Sequence, residues 1–503
     1  TAQTGDLTVG QIINGGTVEL VAGGNILDAG DTGGEDVIAT SLSMQAGDSI
    51  NDIETKVDDL AASSVNDMNI NETDDLTITQ VGSIVGLSTQ GGDIGLVAGG
   101  NITQDTNIPI TSQNGDISIE GASFTQLDDA LIDAGTGSLS VLTNTGGILV
   151  ETMRAENILL TSNEAIEETT PDSDVDIEAT NLAMIAKEGI GNLDTLETEV
   201  SKLNAYNSVS GNIDIHNLGT LTIDAIVDPI TGLPVIPMIT APDLTNYYIS
   251  LGNEGGDITL VNEGDIYITG PYNLQFGGLE GIAIYTAGGD VSITAMSSIY
   301  AGSASNDMSA IETYDGDVTV NASDDISLGY QGWFADINWH STWNGFGAGN
   351  VTLSANGDIT VDNFTFVEAG SGNIDITAGS NFYLLATTQD DAQICTETGN
   401  ITITAQTGDI ILAEDAAGVV SDSGDIILDA FNNVELGYTG TTGDEWIFAR
   451  NGAIYDNNVD DVNIEDVSNL ALLAGQGIGS LSDPVSYTHL RAHETEADLV
   501  CRL

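Results

Sequence analysis

A short phrase returns along the whole chain: Gly, then Asp or Asn, then Ile-x-Ile or a close variant. It stands at Gly256-Asp257-Ile258-Thr259-Leu260, Gly316-Asp317-Val318-Thr319-Val320, Gly349-Asn350-Val351-Thr352-Leu353 and Gly399-Asn400-Ile401-Thr402-Ile403. Repetition at a fixed step is the signature of a repeat architecture. Each phrase reads as a turn and a short strand. Gly is expected to supply positive φ, and Asp or Asn to bond its own backbone in the turn. The β-branched alternation that follows suits a half-buried strand.

Phrases pair eight residues apart, as at Gly256 and Gly264, Gly349 and Gly357, Gly372 and Ser380, and Gly424 and Asn432. The pairs recur from Gly349 to Gly372 to Gly399 to Gly424, steps of 23, 27 and 25 residues. Eight residues make one strand and one corner, and the longer step makes a coil of three sides. The expected class is all-β, a parallel β-helix in which each coil stacks on the one before. Hairpins need shorter connections, doubly wound α/β folds need helical patterns between strands, and no tandem Gly-Gly-x-Gly-x-Asp nonapeptides occur. About 480 residues at roughly 25 per coil predict on the order of 19 coils and a rod of about 90 Å, since neighbouring strands lie about 4.8 Å apart. One continuous domain over residues 1–485 is expected.

A longer module overlies the coils. Glu54-Thr55-Lys56-Val57-Asp58-Asp59-Leu60-Ala61 matches Glu197-Thr198-Glu199-Val200-Ser201-Lys202-Leu203-Asn204, and Ile213 to Ile223 aligns with Met68 to Ile78 without a gap. Ile50 to Ile190 is 140 residues and Ile190 to Ile478 is 288, close to twice that. Modules therefore open near 47, 189 and 477. Ile53, Val57 and Leu60 fall at i, i+4, i+7, as do Leu196, Val200 and Leu203. This spacing predicts a short amphipathic helix in each module, lying on the flank of the coils. From about Ser486 the repeat stops. Residues 486–503 resemble the adapter-derived translation found at the ends of unrelated metagenomic fragments and are expected to be a non-native tail.

The module, Gly-Ile-Gly, then Leu-Glu-Thr-x-Val-x-x-Leu, then Gly-Asn-Ile-x-Ile-x-Asn-x-Gly-x-Leu-x-Ile, resembles the repeats of large secreted proteins related to filamentous haemagglutinin. The resemblance covers nearly the whole chain up to about Val485. It implies a right-handed β-helix and a surface adhesin or exoprotein, exported by two-partner secretion through an outer-membrane transporter of a Gram-negative bacterium. The family's secretion domain is not in this sequence, so the chain reads as an internal fragment.

Formal net charge is −70, from 77 acidic against 7 basic residues. That excludes phosphate-backbone binding and disfavours anionic lipid surfaces. Dispersed along the turns, the charge reads as a solvated, self-repelling surface. The Asp-rich corner from Asp28 to Asp36 is the one candidate metal site, with Asp28, Asp31, Glu35 and Asp36 as calcium ligands; no EF-hand spacing is present. No other cofactor is expected. Cys395 and Cys501 define no disulfide framework, and no apolar stretch approaches a membrane span.

Concentrated chemistry is not evident. Asp324-Asp325 and Asp390-Asp391 are paired carboxylates, but Asp is also the ordinary corner residue. His216 and His340 stand apart from any Cys or second His, which argues against zinc. One segment breaks the repeat, Tyr330 to Phe346, with three of the four Trp residues. Trp333, Trp339, His340 and Trp343 are the candidate glycan-stacking residues, against a reading in which the loop buries its rings on the flank. Trp446 near Tyr438 is a smaller version of the same device. The leading expectation is a non-enzymatic adhesin-like rod with an extracellular glycan or surface protein as partner. A carbohydrate-active β-helix enzyme (lyase or hydrolase) and a passive matrix or coat protein stay open.

Overall fold

The computed structural model describes residues 1–30, 34–226, 235, 239–241, 244–269, 281–302, 308–313, 315–329, 336–337, 349–362, 365–386, 392–413, 417–458, 462–479, 485 and 487–488. Among them the regular structure is all strand, with no helix. The chain divides into two compact units, Thr1–Pro237 with Ser250–Glu263, and Met238–Ile249 with Gly264–Leu503.

Strand pairing is parallel and skips along the sequence. In the first unit Ile94–Ala98 pairs with Ile117–Gly121, which pairs with Ser138–Thr143. Ile102–Gln104 pairs with Phe124–Gln126 and then with Ile148–Val150. Pro109–Thr111 pairs with Leu131–Asp133. Each of these strands thus meets the third strand after it. The second unit repeats the rule: Val351–Ala355, Ile374–Ala378, Ile401–Ala405 and Ile426–Ala430 form one continuous parallel ladder. Small antiparallel pairs, such as Gln80–Val81 with Ile84–Val85, are insertions in this scheme.

The alternation read from the phrase fixes which side chains enter the core. In Ile401–Ala405 the first, third and fifth residues are buried and the Thr residues between are half-buried. Register stacks like on like, Ile376 beside Ile403 beside Leu428. Each such aliphatic chain contributes about 1.5–3 kcal/mol when fully buried.

Two expectations about the phrase itself need correction. Its Gly residues at 256, 316, 349, 399 and 424 are not among those with positive φ. They are small because of close stacking. A Cβ on Gly399 would lie 1.7 Å from the carbonyl oxygen of Gly372, and one on Gly424 would lie 1.8 Å from that of Gly399. The Asp or Asn that follows does not cap its own turn either. Its Oδ1 accepts the backbone N–H of the equivalent residue one repeat later. Asp290 accepts from Asp317 (2.8 Å), Asp317 from Asn350 (2.7 Å), Asn350 from Asn373 (2.9 Å), Asn373 from Asn400 (2.8 Å), Asn400 from Asp425 (2.8 Å) and Asp425 from Asp444 (2.9 Å).

The helical insertions on the flank are also corrected. Ile53 to Leu60 lies in the strand Ile50–Ser63, and Leu196 to Leu203 in Leu196–Asn207. Thr55 and Thr198 supply the missing inward positions. Both are fully buried, and their hydroxyls donate to Glu72 Oε2 (2.7 Å) and Asn217 Oδ1 (2.9 Å). Ile53, Thr55 and Val57 therefore alternate as a strand does, and two outward residues at a bend bring Leu60 back inside. A strand with one polar inward residue and one bend reproduced the i, i+4, i+7 spacing of a helix.

Substituting Gly399→Ala forces the neighbouring backbone apart, so it is expected to lower stability by about 1–3 kcal/mol. Gly477→Ala, whose Cβ would meet nothing within 4 Å, is the neutral control. Urea midpoints of the two variants check this; equal midpoints would contradict the stacking role.

Candidate functional site

Three carboxylates converge around the opening of the second module. Glu168 ends the strand Ile166–Glu168, Asp176 immediately precedes Ile177–Ala186, and Glu197 is the second residue of Leu196–Asn207. Parallel pairing of the last two strands sets Asp176 against Glu197: the Asp176 N–H donates to the Glu197 carbonyl (3.0 Å), and Asp176 Oδ2 accepts the Glu197 N–H (3.0 Å). One oxygen from each of the three residues lies within 4.8 Å of the others, and all three side chains are buried. Glu168 Oε2 and Glu197 Oε2 have no hydrogen-bond partner.

The electrostatics are unfavourable to three free charges. Burial pushes Asp176 up to about 8, against the pull of the Glu197 N–H, and the Glu168 and Glu197 charges push it further. Burial likewise raises Glu168 and Glu197 to about 7, with Asp172 and Asp194 adding repulsion to both. No basic side chain relieves this among the described residues. Lys56 pairs with Asp74 (2.8 Å), Arg154 with Glu178 (3.1 Å), Lys202 with Asp224 (2.7 Å) and Arg450 with Asp429, while Lys187 donates to Asn163.

The same device surrounds the opening of the first module. Asp28 ends Ile26–Asp28, Asp36 precedes Val37–Ala46, and Glu54 lies in Ile50–Ser63; their oxygens again lie within 4.8 Å of one another. The Asp36 N–H donates to the Glu54 carbonyl (2.8 Å), and Asp36 Oδ2 accepts the Glu54 N–H (3.2 Å). Asp28 Oδ1 and Asp36 Oδ1 are buried without partners. Burial raises Asp36 to about 7. Both sets offer oxygen donors only, the chemistry of a hard divalent cation.

Of the residues read from the sequence as calcium ligands, Asp28 and Asp36 come together. Glu35 does not join them; it is half-buried and accepts from the Thr73 hydroxyl (3.4 Å). Asp31 lies outside the described residues, as do Trp333, Trp339, His340 and Trp343, and Asp390-Asp391. Asp325 belongs to a second stacking ladder, where it accepts the Asp358 N–H (2.7 Å). His216 lies 3.8 Å from Glu263. Trp446 is a half-buried outward residue of Asp444–Ala449, and the Tyr438 hydroxyl donates to Glu465 (2.9 Å). Glu54, Glu168, Asp176 and Glu197 were missed. The signal was present, because Glu54 and Glu197 open the duplicated Glu-Thr-x-Val phrase.

Comparison with protein-family models, with curated proteins and with solved structures returns no match.

The second unit buries isolated carboxylates instead. Glu368 Oε1 accepts from the Cys395 thiol (3.3 Å). Glu445 is fully buried where its register partners are Ile426 and Leu470, with the Thr439 hydroxyl as its polar neighbour. Burial pushes Glu445 from its ordinary 4.5 up to about 7. The unfolded chain loses this proton first, so the contribution is fully present below pH 4.5 and is lost as pH rises towards 7. Glu445→Gln removes that titration. Its melting temperature is expected to gain on the wild type between pH 4.5 and 7, by the equivalent of about 3 kcal/mol at most. A pH-independent difference would contradict a buried, neutral Glu445.

Proposed function

We propose that the chain is a right-handed parallel β-helix and a non-enzymatic, adhesin-like structural protein of the filamentous haemagglutinin type. It is secreted to, or held at, the surface of a Gram-negative bacterium through an outer-membrane transporter. The observation that carries the reading is duplication. The two modules repeat strand order, inward Thr, and carboxylate set. Catalysis needs one site, whereas a surface protein gains reach and multivalency from each added module. The parallel ladder from Val351–Ala355 to Ile426–Ala430, each strand paired with the third one on at steps of 23, 27 and 25 residues, supports the β-helix.

The surface composition agrees with this role. With 77 acidic and 7 basic residues, the protein lacks the cationic groups that meet acidic polysaccharides in lyases. Neutral glycans or a partner protein are the expected ligands. Aromatic faces flanked by Asn and Asp, as between Tyr330 and Phe346, suit sugar rings.

Incubation with a panel of neutral and acidic polysaccharides is expected to release no reducing ends or unsaturated products, and turnover of any would contradict the reading. On a glycan array the wild type is expected to bind, and the triple variant Trp333→Ala, Trp339→Ala, Trp343→Ala to lose that binding. Binding unchanged in the variant would move the ligand site away from this segment.

A further inference from the structure

We propose that Glu168, Asp176 and Glu197, and their counterparts Asp28, Asp36 and Glu54, form two module-repeated calcium sites that pin successive strands together. The donor set is the first ground. Each group brings three carboxylates within 4.8 Å. Calcium accepts six to eight oxygens, carboxylates included, whereas zinc prefers nitrogen and sulfur.

The second ground is the stranded oxygens. Glu168 and Glu197 are each 8% exposed and Asp36 is 0% exposed, yet Glu168 Oε2, Glu197 Oε2 and Asp36 Oδ1 have no hydrogen-bond partner. A buried carboxylate oxygen requires a donor, a cation or a proton of its own, and three converging carboxylates suit the cation. The five described Lys and Arg side chains are all engaged with other residues.

The third ground is what the chain does where this set is altered. The opening of the third module places Asn463 where the others have Asp36 and Asp176. The equivalence is structural: the N–H of Ile12, Met153 and Thr439 donates to the carbonyl of Asp36 (2.7 Å), Asp176 (2.7 Å) and Asn463 (2.8 Å) respectively. Asp456 ends its strand as Glu168 and Asp28 end theirs. Here the Asn463 side-chain amide donates to Asp456 Oδ1 (2.9 Å) and to the Leu436 carbonyl (2.8 Å). An internal N–H donor thus occupies the third copy. The first two copies carry a carboxylate instead and leave the neighbouring oxygens to an external cation.

Calorimetric titration of CaCl2 into the EGTA-treated full chain, at neutral pH and physiological ionic strength, tests this. Screening there suppresses diffuse binding to the exposed acidic surface. Two saturable sites are expected, with a calcium-dependent rise in melting temperature. Asp176→Asn and Asp36→Asn, each copying the third module, are expected to lose one site apiece, and the double variant both. Glu197→Gln gives a second route to the same loss if an Asn variant misfolds. Absence of saturable calcium binding in the wild type would overturn the proposal, as would two sites retained in a folded Asp176→Asn variant.

Discussion

Everything in this fold follows from how closely one turn sits on the turn before it. At the phrase the backbone approaches so tightly that a Cβ on Gly399 would fall 1.7 Å from the Gly372 carbonyl. That contact admits only glycine, and it fixes the height of one repeat on the next. The adjacent Asp or Asn then fixes register, because its Oδ1 reaches the N–H of its counterpart one repeat later. In the second unit seven such residues run in an unbroken series from Asp290 to Asp444. With the turns pinned, strands that bear Ile, Leu and Val at alternate positions stack those residues on one another, and hydrophobic burial does the rest.

The same stacking explains why so many acids are tolerated. An acid at a turn is bonded to an N–H one repeat onward, as Asp317 is to Asn350 (2.7 Å), and its other oxygen faces water. Acids crowd against one another where strands lengthen. The long strands Ile50–Ser63 and Leu196–Asn207 do this, setting Glu54 and Glu197 beside the Asp that opens the preceding strand. These are also the places where the modules begin, so the acid groups follow the longer period and not the phrase.

The sequence disclosed the strands, their parallel repeat and the duplication, because Gly, Asx and alternating aliphatics are local signals. Its reading of the phrase was wrong in mechanism. Positive φ and self-capping are the usual reasons for Gly and Asx in turns, while close approach and capping of the next repeat are long-range reasons that no single window displays. The predicted helices failed for a related cause: Thr55 and Thr198 look outward-facing in a hydrophobicity pattern but are buried through bonds to Glu72 and Asn217. At the acid site, Asp28 and Asp36 were legible from local density. Glu54 stood out only as the opening of a duplicated phrase, and its place beside them follows from pairing 18 residues later.

The register claim is tested most directly by cross-linking. Thr377 and Thr404 are register partners on neighbouring parallel strands, and both lie on the outward face. Directly opposed positions on adjacent strands fall within the roughly 4.4–6.8 Å Cα separation of a disulfide. A Thr377→Cys, Thr404→Cys chain is predicted to form an intramolecular disulfide under mild oxidation, in the folded state only. A Thr377→Cys, Thr402→Cys chain, displaced two residues along the same face, is predicted not to. Cross-linking of the displaced pair in preference to the register pair would contradict the stack.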